Sequence, residues 1–336
     1  ALSEVDYSLT GGVKGEFGKS TFDLSVTYGK DNNKTYVANS ANAALYYDTS
    51  TTTVAGYTPR DVYDGAFVGS QLTVNFDATH EVEVGLADAL HIAGGLEWRK
   101  DTYALQAGEV ASYYVGSGVK GGGIQSFFGY SPTNASDNSR TNFAQYLDLE
   151  TSPVAAWKVI GAVRHENYSD FGDTTIFKLT NRYDFSKAIA IRGTVSTGFR
   201  APTLAEGFYS GINVGPASLS GIFAPNSPGA SALGISGLKP EKSTNVSVGF
   251  VFNPAPKLSI TLDAYSIYLR DRIVQSSGFT GYSNNCKYLP SGFTAGMDVA
   301  AAKAALPAPA VEVALGDRTE QRVPMSRLRA RIAERL

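Results

Sequence analysis

The residue types best suited to chemistry are few here, and their spacing points away from a reaction centre. The three histidines, His80, His91 and His165, lie far apart in sequence, so a metal site would require distant segments to converge. Cys286 is the single cysteine, which excludes an intrachain disulfide and any cysteine-based metal site. Asp170 and Asp173 stand close enough to hold a Ca²⁺ ion in a loop, but turn capping accounts for such a pair more simply. The run GVKGGGIQ at 118–125 lacks the Gly-Lys-Ser/Thr ending of a phosphate loop and reads as a flexible connection. No catalytic residue, metal ligand or cofactor site is therefore expected. Charged residues make up 18% of the chain and the net charge is −2, so there is no basic field for nucleic acid.

The elements that carry these residues alternate with a period of two. In TFDLSVTY, Phe22, Leu24, Val26 and Tyr28 share one face while Thr21, Asp23, Ser25 and Thr27 share the other. The same holds in WKVIGAVRHE, AIAIRGTVSTGF and KLSITLDAY. Such segments are strands with one apolar and one wet face. Ten are expected, near residues 1–13, 20–30, 66–84, 89–106, 142–151, 156–168, 174–185, 188–199, 243–253 and 257–274. Short turns (VKGEFGK, GLADA, TSPVAA, FSKA, NPAPK) alternate with longer connections at 31–65, 108–141, 169–173 and 200–242.

A sandwich would mix loop lengths at both ends, whereas an outer-membrane barrel has short turns on one side and long loops on the other. Backbone groups cannot stay unpaired in hydrocarbon, so such a sheet must close. Lys158, Lys178, Arg182 and Arg192 fall on the wet phase, facing a lumen and not lipid. Tyr28, Trp98, Tyr103, Tyr168, Phe185 and Phe199 are placed as interfacial girdles. The fold class read from this pattern is all-β, a partial antiparallel transmembrane barrel, followed by a short linker and helix. No apolar run of 18 residues or more is present, so a membrane-spanning helix is not expected. The opening ALSEVDYSLT has neither a basic start nor an apolar core and is not a signal peptide.

Five strings then carry a resemblance in order along the chain: GLEWRKDTY, RHENYSDFGDTTIFKL, STGFRAPTLAE, LKPEKSTNVSVGF and DAYSIYLRDRIV, between Gly94 and Val274. Together they resemble the TonB-dependent receptors of Gram-negative outer membranes. The resemblance implies a barrel of about 22 strands, of which this chain would supply about ten. It also implies a plug and a TonB box supplied by sequence not seen here, and energy-coupled import of ferric siderophores, vitamin B12, haem or oligosaccharides. FRAP at 199–202 is similar to a box of the haem receptors, but no histidine follows it through residue 241, so haem is not favoured. In such a receptor, wet-face residues and outer loops contact ligand. The residues placed in that role are Arg192, Arg200, Glu206, Tyr209, Arg164 and Tyr114. Expected partners are the TonB complex, outer-membrane lipid and a small nutrient or chelate. The alternatives are a passive porin-like or structural barrel, or an inactive acyltransferase fusion.

The last alternative arises from the tail. The barrel segment is assigned to 1–275, an outer loop or junction to 276–302, an Ala/Pro-rich linker to 303–316 and an amphipathic helix to 317–336. GDRTEQRVPMSRLRARIAERL, with six arginines against three acids, resembles the start of the catalytic domain of dihydrolipoyl acyltransferases. That family's catalytic histidine would lie further downstream, so the resemblance implies no activity, and the chain reads as a chimera.

Overall fold

The computed structural model describes residues 1–50, 56–116, 122–214, 219–232, 234–235 and 237–275. The junction, linker and helix assigned beyond residue 275 lie outside the described residues. Eight strands run in succession as neighbours: β1 (Leu2–Phe17), β2 (Ser20–Val37), β3 (Val62–Val82), β4 (Leu90–Ala107), β5 (Ser136–Val154), β6 (Trp157–Tyr168), β7 (Gly172–Asp184) and β8 (Ile189–Arg200). The short hairpin β9 (Gly211–Val214) and β10 (Leu219–Ile222) stands apart as its own sheet. Then β11 (Glu241–Ala255) joins β8, and β12 (Leu258–Arg270) forms the far edge. All pairings in this ten-stranded sheet are antiparallel. The ten expected strands are all present, each displaced by a few residues at its ends.

Connections alternate as expected. Two-residue turns close β1–β2, β5–β6 and β11–β12. Gly18 takes a φ of +60° in the first of these, a value that side chains disfavour. On the opposite rim the connections 38–61, 108–135 and 201–240 are long. Among the described residues they carry four helices that the alternation does not reveal: α1 (Ala43–Thr49), α2 (Val110–Tyr113), α3 (Leu204–Phe208) and α4 (Pro228–Ala232).

The sheet has two faces of opposite chemistry. Register puts Leu24, Phe76 and Leu96 side by side, then Leu147, Val163 and Phe177, then Leu179, Val195 and Val246. All nine are exposed, an apolar sheet face that suits lipid far better than water. The other face carries the charged and hydroxyl side chains. Two girdle assignments are corrected. Tyr168 is buried and donates its hydroxyl to Glu166 at 2.8 Å. Tyr103 shares the phase of Arg99 and Asp101 and faces inward. Alternation places a side chain correctly only when its phase is counted against its own strand; both tyrosines sit near strand ends, where an aromatic suits either side.

The buried core is small and sits among the outer loops. Val62, Ala111 and Ile124 pack together with Val37 and Leu45 against them. Asn42, fully buried, caps α1 through the Leu45 N–H and donates to the carbonyls of Ala111 and Tyr114 at 2.9 and 3.0 Å. One side chain thereby ties the loop after β2 to the loop after β4.

Candidate functional site

On the inner face, β4, β5 and β6 place long charged side chains in register. Glu97, Ala144 and Glu166 lie abreast on the three strands, as do Arg99, Asn142 and Tyr168. Arg164 reaches Glu166 at 2.7 Å on its own strand and Glu97 at 3.4 Å two strands away. Adjacent strands lie roughly 5 Å apart, so that second contact must pass over β5. Ala144 is the residue beneath it, 0% exposed, and a longer side chain there would obstruct the pair. Asn142 and Tyr168 donate to the other oxygen of Glu166 at 2.7 and 2.8 Å. The Glu166 carboxylate is thus held by three donors in a site with little water, where charge-assisted bonds are strongest.

One step toward the outer rim, Arg140 pairs with Asp101 at 3.2 Å and with Asp170 at 3.7 Å. Its guanidinium also lies 5.3 Å from the Tyr168 ring centroid and donates to the carbonyl of Pro202. That last bond belongs to the connection between β8 and β9. The chain leaves β8 at Arg200, crosses the inner side, and sets α3 against β4 and β5. Thr203 and Glu206 form a capping box at the start of α3, and Arg200 holds the Glu206 carboxylate through both oxygens at 3.0 and 3.1 Å. Partial burial raises the pKa of Glu206, but the Arg200 bonds and the Thr203 N–H lower it more, so the carboxyl sits below its ordinary value.

Beyond α3, Tyr209 enters an aromatic group formed by Phe67 of β3, Tyr103 of β4 and Tyr130 of the loop after β4. Its ring centroid is 6.0 Å from Phe67 and 6.2 Å from Tyr130. Phe67 stacks on Tyr103 at 6.5 Å and meets Tyr130 edge-on at 5.3 Å. Burial, reinforced by the Tyr209 hydroxyl, holds the Tyr130 phenol well above its usual pKa. Tyr130 is positioned by Gly65, whose φ is +118° and where a Cβ would lie 2.4 Å from the Gln106 carbonyl oxygen and 2.9 Å from the Tyr130 ring. Asn134 donates to the Ser210 hydroxyl at 3.3 Å, a further tie on the same segment.

The six residues singled out from the sequence fall into separate places. Arg164 is central to the inner network. Arg200 and Glu206 form one pair at the base of the inward loop, with Glu241 as a second partner for Arg200 at 2.8 Å. Tyr209 lies in the aromatic group. Arg192 shares β8 with Arg200 but pairs bidentately with Asp263 of β12 at 2.8 and 2.9 Å, apart from the Arg200–Glu206 pair. Tyr114 donates to Asp48 at 2.9 Å in the outer loops, which raises the phenol's pKa. Arg140, Glu97, Glu166 and Tyr130 are not among the residues the sequence singles out, and Tyr103 is singled out only for a girdle. Alternation gave the strand residues their wet phase, but no local signal marks which of them lie beneath an inward loop. The histidines remain apart: His80 bonds Ser20, His91 faces Glu81 and His165 bonds Thr175.

The family model for the TonB dependent receptor-like β-barrel matches residues 3–302. The chain is 24% identical over 188 residues to the vitamin B12 transporter BtuB of Photobacterium profundum, covering 56% of this chain and 23% of that protein. Among solved structures it resembles the siderophore receptor PirA from Acinetobacter baumannii, with a TM-score of 0.56 and 17% identity over 83% of this chain and 36% of that one. It also resembles a variant of the ferric enterobactin receptor PfeA from Pseudomonas aeruginosa, with a TM-score of 0.58 and 15% identity over 88% of this chain and 38% of that one. These structural likenesses bear on the fold, and the chain spans well under half of each relative's length. An open antiparallel sheet of ten strands, apolar outside and charged within, matched by that model over nearly its whole length, belongs to the β-barrel of the TonB-dependent receptors, a family of receptors and transporters and not of enzymes.

Proposed function

We propose that this chain is the barrel portion of an outer-membrane receptor of a Gram-negative bacterium, importing a scarce small nutrient or chelate with energy delivered through TonB. The observation that carries this reading is the inner face: a charged network on β4–β6 overlain by a loop that folds inward from β8. The plug and the TonB contact belong to other parts of the receptor. The relatives that transport vitamin B12 or receive siderophores favour ligands of that class. Arg164, Arg200, Glu206, Tyr209, Arg192 and Tyr114 are the proposed ligand-facing residues. Tyr209 and the Arg200–Glu206 pair come first among them because they line the inward loop. Within the chain, 1–275 is the barrel segment and 276–302 an outer loop or junction. The linker proposed for 303–316 and the acyltransferase-like stretch proposed for 317–336 lie outside the described residues.

The test is uptake of labelled ferric siderophores and cobalamin by cells that carry or lack the intact gene, with and without TonB and with a protonophore. Uptake that needs the gene, TonB and the proton gradient supports the reading. Gene-dependent entry indifferent to TonB and to the protonophore overturns it in favour of a passive pore.

A further inference from the structure

Asp64 lies fully buried near the start of β3, and neither oxygen of its carboxyl has a hydrogen-bond partner. Tyr63 pairs with Tyr36 of β2 and Gly65 with Thr35, so Asp64 is the extra residue of a bulge and has no counterpart on that strand. Its backbone nevertheless anchors the outer loop after β4. The Tyr130 N–H donates to the Asp64 carbonyl at 2.9 Å, and the Gly108 N–H to the Tyr130 carbonyl at 2.8 Å. The Glu109 N–H donates to the Tyr63 carbonyl, and the Tyr63 N–H returns a bond to the Glu109 carboxylate, each at 2.9 Å. Gly108 seats so closely that a Cβ there would lie 2.7 Å from the Asp64 carbonyl carbon. The loop is thus pressed onto the bulge that holds the bare carboxyl.

Taking an unpaired charge out of water costs more than taking up a proton, so a carboxyl in such a place is driven toward its neutral form. Burial pushes the Asp64 pKa up to about 7, with the Ala1 ammonium opposing the shift and the Glu109 carboxylate adding to it. Those two charges come from the start of the chain and from the loop after β4. Asp61, just before β3, is turned to the Asn39 N–H, and Tyr36 of β2 sets its ring 5.3 Å from that of Tyr63. Tyr63 and Tyr130 are held above the ordinary phenol value by burial, so neither ionises where Asp64 does. We propose that Asp64 is a proton-operated latch on the outer loops: protonated, it lets the loop after β4 seat on the bulge, and ionised, it draws water in and releases that loop. Release reaches the candidate site, because Tyr130 meets Phe67 edge-on and lies against Tyr209. The proposal adds regulation to the receptor reading above and rests on it for the site that is regulated.

The sign follows from linkage. With a folded pKa above the unfolded one, the latch is closed at low pH and opens as pH rises through about 7. The measurement is hydrogen exchange of the Tyr130, Gly108 and Glu109 amides in the intact receptor in detergent, each rate divided by its intrinsic value at that pH. Each unit of pKa difference is worth a factor of about ten, so protection should fall at least about tenfold between about pH 5 and pH 8. Asp64→Asn keeps the size without the charge and should make protection independent of pH over that range. Glu109→Gln keeps an acceptor for the Tyr63 N–H but removes the like charge, and should move the midpoint to lower pH. Constant protection in the parent receptor overturns the proposal, as does a fall that persists in Asp64→Asn. Where Asp64→Asn does not fold, an unchanged midpoint in Glu109→Gln overturns it alone. None of these readouts involves TonB or uptake, so failure of the transport reading shows separately.

Discussion

Arg164 and Arg192 share a strand phase and a charge, and the sequence treats them alike, but burial separates their energetics. The side chain of Arg164 is 21% exposed and that of Glu166 9%, whereas Arg192 and Asp263 are 46% and 49% exposed. An exposed pair loses in solvation and side-chain entropy nearly what it gains by attraction. A buried carboxylate stripped of its cation keeps its desolvation cost. Arg164→Ala should therefore destabilise the barrel by about 3–5 kcal/mol, and Arg192→Ala by less than about 1 kcal/mol; denaturant midpoints in detergent micelles measure both. Glu206 gives the pH counterpart. Its folded pKa lies below the ordinary glutamate value, so its contribution is fully present above about pH 4.3, the unfolded value, and is lost as pH falls through the folded one. Protection of amides at the start of α3, relative to the intrinsic exchange rate at each pH, should be flat from neutrality down to about pH 5 and fall below it, and Glu206→Gln should abolish that dependence. An acid loss of protection that persists in Glu206→Gln would place the pH response elsewhere.

The strands were legible because lipid and lumen impose opposite demands on successive residues, and the demand repeats over each whole strand. Val195 and Thr194 show how sharply it acts. Val195 lies in the apolar row with Leu179 and Val246, and Thr194 in the wet row with Thr180. Val195→Arg should cost about 2–4 kcal/mol near the midplane and lower the yield of folded barrel in vesicles, with Thr194→Arg nearly neutral in the same assay. Helices α1 to α4, of four to seven residues, were not legible, because none spans enough turns to display a helical period. The path of the loop after β8 was hidden for another reason. It depends on Arg140, Tyr130 and Asn134, which lie some 60 to 80 positions earlier in the chain. Asn42 ties two loops by the same kind of distant contact. Asn42→Ala removes the Ala111 carbonyl's side-chain donor and leaves the Tyr114 carbonyl only the Gly123 N–H, and should cost about 1–3 kcal/mol, seen as faster proteolysis within 38–61 and 108–135 while the strands stay protected.

The ten-stranded sheet presents β1 and β12 as its edges among the described residues, and their chemistry constrains how the barrel can be completed. Each edge offers backbone donors and acceptors along one side. Each unpaired group costs several kcal/mol in hydrocarbon, so more than a dozen residues of open strand cannot rest against lipid. Nothing along β12 blunts its edge: Ile260, Leu262, Tyr265, Ile267 and Tyr268 are exposed, and the strand contains no proline. Such an edge invites pairing with another chain. A polypeptide of residues 1–275 refolded in vesicles should therefore yield mixed oligomers and no monomeric, heat-modifiable band on gels. Strands supplied on a second polypeptide from the rest of the receptor should restore a single protease-resistant species. The competing possibility is that β1 and β12 pair with each other, closing a ten-stranded pore on the same residues. A protease-resistant monomer formed by 1–275 alone, with disulfide trapping between Tyr7→Cys and Tyr265→Cys, would establish that closure. It would turn the open sheet into a complete small barrel, with a lumen too narrow for a plug and a function closer to passive permeation.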